Sequence, residues 1–145
     1  MDSKGRFRLP AGIAEQFGEA DSYTFVFNRG LGKCLRMFPE NVWEKETSKI
    51  ESELDELDPD DAAFKRAFYG GARKLTTDGS FRINLPDFLL RYAGISKEVD
   101  LVCMNQTIEV WATEEYEKSM MMSPEEFIRV SKKASKKSKQ KKEDA

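Results

Sequence analysis

Apolar positions in this chain follow two periods, and the same succession of periods occurs twice. After Leu9-Pro10, Ile13 and Phe17 lie four residues apart; after Leu85-Pro86, Phe88, Leu89 and Tyr92 share one helical face. Each spacing predicts a short helix. Pro10 and Pro86 suit its first turn, where a missing N–H is harmless, and Gly18 and Gly94 suit its end. Strand signals come next. "YTFVFNRGLGKCLRMFP" predicts strands at Tyr23–Phe27 and Cys34–Phe38 around a glycine-containing turn. "VDLVCMNQTIEVWA" predicts strands at Val99–Met104 and Thr107–Trp111 around a tight turn at Asn105-Gln106. Both pairs run into a charged helical segment holding one large aromatic residue, Trp43 or Tyr116.

Between the two series, Trp43, Ile50, Leu54 and Leu57 recur at helical spacing. "DPDD" then breaks the helix and offers an Asp to cap the next one. That second helix is expected to bury Ala63, Phe64, Ala67 and Phe68 and to stop at Gly70-Gly71. The result is a helical hairpin between two β units.

The duplication reaches individual residues. "DSKGRFRLP" at the start returns as "DGSFRINLP", with Arg6 and Arg82 separated by 76 residues. Each unit is too small to close a core alone. The two are therefore expected to interlock into one α+β body.

A chain of 145 residues with 39% apolar and 34% charged residues fits a modest core. No apolar run approaches the roughly 20 residues of a membrane span. The N-terminus lacks a basic-then-apolar signal pattern, so the chain is expected to stay where it is made, and the "NQT" sequon reads as chance. There is no histidine, and Cys34 and Cys103 fit no metal or nucleophile spacing. Both cysteines are expected as buried thiols. No metal or cofactor is implied, and the acidic run Glu51–Asp61 lacks the ligand pattern of a calcium loop.

Charge is unevenly placed. Residues 1–128 carry 16 Lys+Arg against 24 Asp+Glu, a net of −8, whereas residues 129–145 carry eight against two, a net of +6. The ending "SKKASKKSKQKKEDA" reads as a disordered basic tail. It is either a solvated aid to solubility or an arm drawn to phosphate backbones. The Met120-Met121-Met122 run reads as a linker before the helix start at "SPEEF", the other reading being a patch between subunits.

The repeated string has its own chemistry. Asp2 followed by Gly5 is turn chemistry: the carboxylate accepts from nearby backbone N–H groups and Gly tolerates positive φ. The turn presents Lys4 and Arg6, with Arg8 on the same strand face. In the second copy the matching face carries Arg82 and Asn84. Arg and Asn are the side chains best shaped for paired hydrogen bonds to guanine and adenine edges, and a β element fits the major groove. One such turn is an ordinary surface turn. Two, each locked to the same Leu-Pro and helix, point to nucleic acid.

The two D-x-x-x-R-x-x-L-P strings, the helical pair between them and the "EVWATEEYEK" ending resemble the MraZ family, within the AbrB/SpoVT-like group of bacterial transcription factors. The resemblance covers about residues 1–118. It implies two AbrB-like β units folded as an intramolecular swapped-hairpin pseudo-dimer barrel. With the rest of the chain, the expected organisation is a first unit at 1–43 lacking its N-terminal strand, a helical linker at 44–71, a second unit at 72–115, a C-terminal helix at 116–130 and a disordered basic tail at 131–145. It further implies a ring-forming homo-oligomer, cytoplasmic and nucleoid-associated. Such an assembly binds promoter direct repeats upstream of the division and cell-wall genes, as a repressor. Lys4, Arg6, Arg8, Arg82 and Asn84 are then the DNA contacts, and Asp2, Gly5, Asp78 and Gly79 shape the loops.

Three departures from the family pattern stand out. The family's strand ahead of the first motif is not seen before Asp2, so either the start of the chain lies upstream or the first unit exposes a sheet edge. Phe81 stands where the pattern has Gly, so the second loop is expected to re-form around Gly79. The Lys-rich tail lies outside the shared pattern. The competing reading is a protein-interaction module of the same architecture. An enzyme ranks third, because "GLGK" at Gly30–Lys33 reads as a hairpin turn rather than a phosphate loop.

Overall fold

The computed structural model describes residues 1–144. The chain divides into a body, Met1–Glu115, and a C-terminal unit, Tyr116–Ala145. In the body the order is β1 (Arg6–Arg8), α1 (Ala11–Ala14) with a 3-10 turn at Glu15–Phe17, β2 (Thr24–Arg29), β3 (Leu35–Pro39), α2 (Glu40–Glu53) and α3 (Pro59–Gly71). There follow β4 (Arg73–Thr76), β5 (Arg82–Asn84), α4 (Asp87–Ala93), β6 (Val99–Cys103) and β7 (Ile108–Ala112). Pro10 and Pro86 sit one residue before their helices, in extended conformation. Gly94 closes α4 in the left-handed region with φ 66°, a geometry that favours glycine.

The strands form two antiparallel sheets, β1-β5 and β4-β2-β3-β7-β6. Three pairings join the two copies: β1 with β5, β2 with β4, and β3 with β7. The body is thus a mixed α/β fold in which neither copy completes its own sheet. β4 covers one side of β2, whereas β6, the counterpart of β2, ends the sheet among the described residues.

The alternation of side chains explains the packing. On β7, Ile108, Val110 and Ala112 turn inward, separated by partly exposed Glu109 and Trp111. They meet Phe25, Phe27, Leu35 and Met37 from β2 and β3, together with Phe7, Ile83, Leu89 and Ala93. Each fully buried large side chain of this kind contributes about 1.5–3 kcal/mol. The other face of β2 and β3 is covered by the helical hairpin. There Phe38 meets the Trp43 ring edge-on at 5.1 Å, and Trp43 stacks on Phe68 at 5.1 Å.

Asp58 caps α3, its carboxylate accepting from the Asp60 and Asp61 amides. The buried Asn28 side chain donates to the Phe68 carbonyl at 2.8 Å, tying β2 to α3. Between the helices, Lys65 Nζ reaches Glu51 at 3.0 Å and Glu56 at 2.9 Å. The Tyr69 hydroxyl donates to Glu51 at 2.7 Å.

The structure departs from the sequence reading at several points. On α3 only Phe68 of the four expected residues is partly buried; Ala63, Phe64 and Ala67 are exposed. The hairpin turns Lys65 inward instead, because two carboxylates neutralise it there. Leu57 lies beyond the helix end and is exposed. Cys34 is buried, and burial, reinforced by nearby Glu109, pushes its thiol up to about 11. Cys103, at the end of edge strand β6, is exposed.

Helix α5 (Thr113–Ser119) starts in the body and ends in the C-terminal unit, ahead of exposed Met120, Met121 and Met122. Ser123 then caps α6 (Pro124–Asp144), its hydroxyl accepting from the Glu126 amide. The region expected as a disordered tail is therefore helical through residue 144. After Pro124 it contains neither Gly nor Pro, and Lys, Ala, Gln and Glu are good helix formers. No helix of the described residues is long and apolar enough to cross a membrane.

Candidate nucleic-acid interface

The two copies of the repeated string lie side by side. In the β1-β5 ribbon Arg6 is opposite Asn84, Phe7 opposite Ile83, and Arg8 opposite Arg82. Phe7 and Ile83 point into the core. Strand alternation then puts Arg6, Arg8, Arg82 and Asn84 together on the outward face. Reciprocal bonds extend the ribbon: the Leu9 amide donates to the Phe81 carbonyl at 2.8 Å, and the Leu85 amide donates to the Gly5 carbonyl at 3.0 Å.

The loops ahead of the strands share one hydrogen-bond scheme. Asp2 Oδ1 accepts from the Lys4 and Arg6 amides, both at 3.0 Å. Asp78 Oδ1 accepts from the Ser80 amide at 2.9 Å and the Arg82 amide at 3.0 Å. The second carboxylate oxygen of each Asp takes the arginine Nε, at 2.8 Å for Arg6 and 3.0 Å for Arg82. Arg82 Nη1 also lies 3.8 Å from Asp2, so one carboxylate faces both guanidinium groups. The backbone N–H bonds from Arg6 and Arg82, with smaller help from their charges, hold Asp2 and Asp78 below the usual 3.8.

Holding an arginine by Nε fixes the plane of its guanidinium. The two terminal nitrogens of Arg6 have no other bonded partner among the described residues. That is the geometry bidentate recognition requires. The aspartates thus aim side chains as well as shape backbone, a role the turn pattern alone did not reveal.

The second loop keeps this scheme without relying on Gly79. Phe81 itself adopts φ 60°, matching Gly5 at φ 77°, and Gly79 is not among the positive-φ residues. The expectation of a loop re-formed around Gly79 is therefore corrected. Compensation comes from size. A Cβ on Gly5 would meet Leu90 Cδ1 at 2.9 Å. In the other copy the position of Leu90 is taken by Ala14, which leaves room for the Phe81 ring, 5.8 Å from that of Tyr23. Ala14, Tyr23 and Phe81 line an open groove of about 1040 Å³ beside Arg8. The signal was in the sequence, as a large-for-small exchange at matched repeat positions.

Charge is unequal across the ribbon. The first copy carries Lys4, Arg6 and Arg8; the second has Ser80, Arg82 and Asn84 at the matching places. Lys4, Arg8 and Asn84 are exposed, and Arg6 and Arg82 are partly so. Among the described residues no cluster of three His, Cys, Asp or Glu side chains could hold a metal ion.

The family described as "MraZ protein, putative antitoxin-like" matches residues 1–67 and again 68–144. A Transcriptional regulator MraZ from Carboxydothermus hydrogenoformans is 37% identical over 114 residues, covering 79% of this chain and 76% of that protein. The protein of the same name from Syntrophomonas wolfei is 34% identical over 116 residues, 80% of this chain and 78% of its own. A third, from Cytophaga hutchinsonii, is 29% identical over 133 residues, 92% of this chain and 87% of its own.

Proposed function

This chain belongs to the MraZ family, and from that premise we propose that it is a sequence-specific DNA-binding transcriptional regulator. The single observation that carries the reading is the β1-β5 ribbon, where both copies of the string pair and present Arg6, Arg8, Arg82 and Asn84 on one outward face. A two-stranded ribbon fits the major groove. Arg6 and Arg82 reach base edges, while Lys4 and Arg8 hold the phosphate backbone. The cross-copy pairings support a swapped-hairpin pseudo-dimer as the scaffold.

One ribbon spans few base pairs. In this reading the chain forms a ring of identical subunits that bind successive direct repeats upstream of division and cell-wall genes. Each added module raises effective concentration without new contacts. Occupancy then excludes polymerase, making the effect repression. The acidic body does not prevent this, since charges beyond about 8 Å are screened at physiological salt. The site of action is the cytoplasm, at the nucleoid. No catalytic step and no cofactor enter this reading.

The family description's antitoxin-like wording favours a second reading, a protein-interaction module. Fluorescence anisotropy on duplexes carrying one, two or three copies of a promoter repeat separates the two. The regulator binds with an affinity that climbs steeply with repeat number and collapses on scrambled DNA. Equal, weak binding to all duplexes would favour the interaction module.

A further inference from the structure

Helix α6 is the one strongly cationic element of a chain whose remainder is acidic. Four of its eight Lys and Arg residues fall in line. Arg129, Lys132, Lys136 and Lys139 are three, four and three residues apart, which places them within about 80° of one helical face. The stripe is about 15 Å long at 1.5 Å per residue. All four side chains are exposed. Ser131 and Ser135 border the stripe, and the far side carries Ala134, Ser138, Lys137 and Lys141.

This distribution decides among polyanionic partners. Insertion into a lipid surface needs a broad apolar face opposite the cations. After Val130 the helix has no large apolar residue. Self-association would bring like charges together over a face without knobs to pack. A row of exposed cations along one helical face complements the run of negative charge along a nucleic-acid backbone.

We propose that α6 is a sequence-independent clamp on the phosphate backbone of duplex DNA, with Arg129, Lys132, Lys136 and Lys139 as its contacts. The inference rests on the DNA-binding reading above and adds a second contact of different character. The ribbon selects the site. α6 supplies affinity that does not depend on sequence, tethered to the same chain and so present at high effective concentration. It adds attraction for DNA to a chain whose body, Met1–Glu115, carries 21 Asp+Glu against 15 Lys+Arg.

The test compares the full-length chain with a quadruple variant, R129Q/K132Q/K136Q/K139Q, in which glutamine keeps helix propensity. Affinity is measured against salt on a repeat-bearing duplex and a scrambled one. Neutralising four contacts should make the slope of log K against log salt shallower by about 3–4 on both duplexes, and leave their affinity ratio unchanged. Substituting arginine at the three lysines should preserve the wild-type slope. A quadruple variant with the wild-type slope on both duplexes overturns the inference. So does an unchanged slope accompanied by lost binding to phosphatidylglycerol vesicles, which would move the helix to a membrane surface. The scrambled duplex keeps this test separate from the reading beneath it. If R6A leaves sequence preference intact, that reading fails, while the slope still reports on α6.

Discussion

Gly5 and Phe81 hold the same place in two copies of one loop, and both keep positive φ, 77° and 60°. The conformation belongs to the loop, not to the residue. It is enforced by an aspartate that accepts two amides and an arginine Nε in each copy. A bulky residue at positive φ is strained by about 1–2 kcal/mol. Phe81 persists there because Ala14 leaves room for its ring and Tyr23 packs beside it.

Gly5→Ala should destabilise the fold by about 1–2 kcal/mol through backbone strain alone, before any contact is counted. Part of any excess comes from Leu90, whose Cδ1 would lie 2.9 Å from the new Cβ. In a Leu90→Ala background the penalty of Gly5→Ala should therefore shrink. Denaturant melts of the four proteins in that cycle measure the coupling; strictly additive effects would remove Leu90 from the explanation.

Acid should open both loops, but late. The carboxyls of Asp2 and Asp78 sit below their ordinary 3.8, so folding favours the ionised form. That contribution is fully present above 3.8 and is lost as pH falls through the lower folded values. Amide resonances of Lys4, Arg6, Ser80 and Arg82 should stay unshifted down to the ordinary carboxylate range and move only beneath it. Asp2→Asn should abolish the transition in the first loop alone. A transition above 3.8 would contradict the assignment.

Ile83 has no exposed surface and backs the ribbon directly across from Phe7. Ile83→Ala should cost about 2–5 kcal/mol, read as a lowered denaturant midpoint with unchanged slope. A loss under 1 kcal/mol would mean that the ribbon is not anchored through this residue.

Arg6→Ala and Arg82→Ala should each reduce discrimination between repeat and scrambled DNA by about 1–3 kcal/mol. Arg6→Lys should not rescue it, because lysine has neither the Nε bonded to Asp2 nor a planar fork. Lys4→Ala should weaken binding to both duplexes alike. Competition titrations at one fixed salt concentration check all three, and full rescue by lysine would mean that the contact is a point charge only.

Much of this was legible in the residues. Both helices after Leu-Pro, the four hairpin strands and the Asp58 cap follow from local spacing and turn chemistry. The duplicated string gave the need for interlocking. Its cross-strand register was not readable, because Arg6 opposite Asn84 is set by packing of Phe7 and Ile83 against residues remote in sequence. Helix α3 misled for a similar reason. Its apolar residues suggested a buried face, yet long-range ion pairs turned Lys65 inward. At α6 the run of like charges suggested disorder, while the same lysines have good helix propensity. Phe81 misled because its bulk argues against positive φ, whereas Ala14 in place of a leucine leaves its ring room beside Tyr23.

The most direct measurement follows the side-chain Nε–Hε resonances of Arg6 and Arg82 by NMR as a repeat-bearing duplex is added. The account predicts that both shift with site occupancy, and that neither shifts with a scrambled duplex at equal concentration. Saturated, specific DNA binding with both resonances unmoved would contradict it.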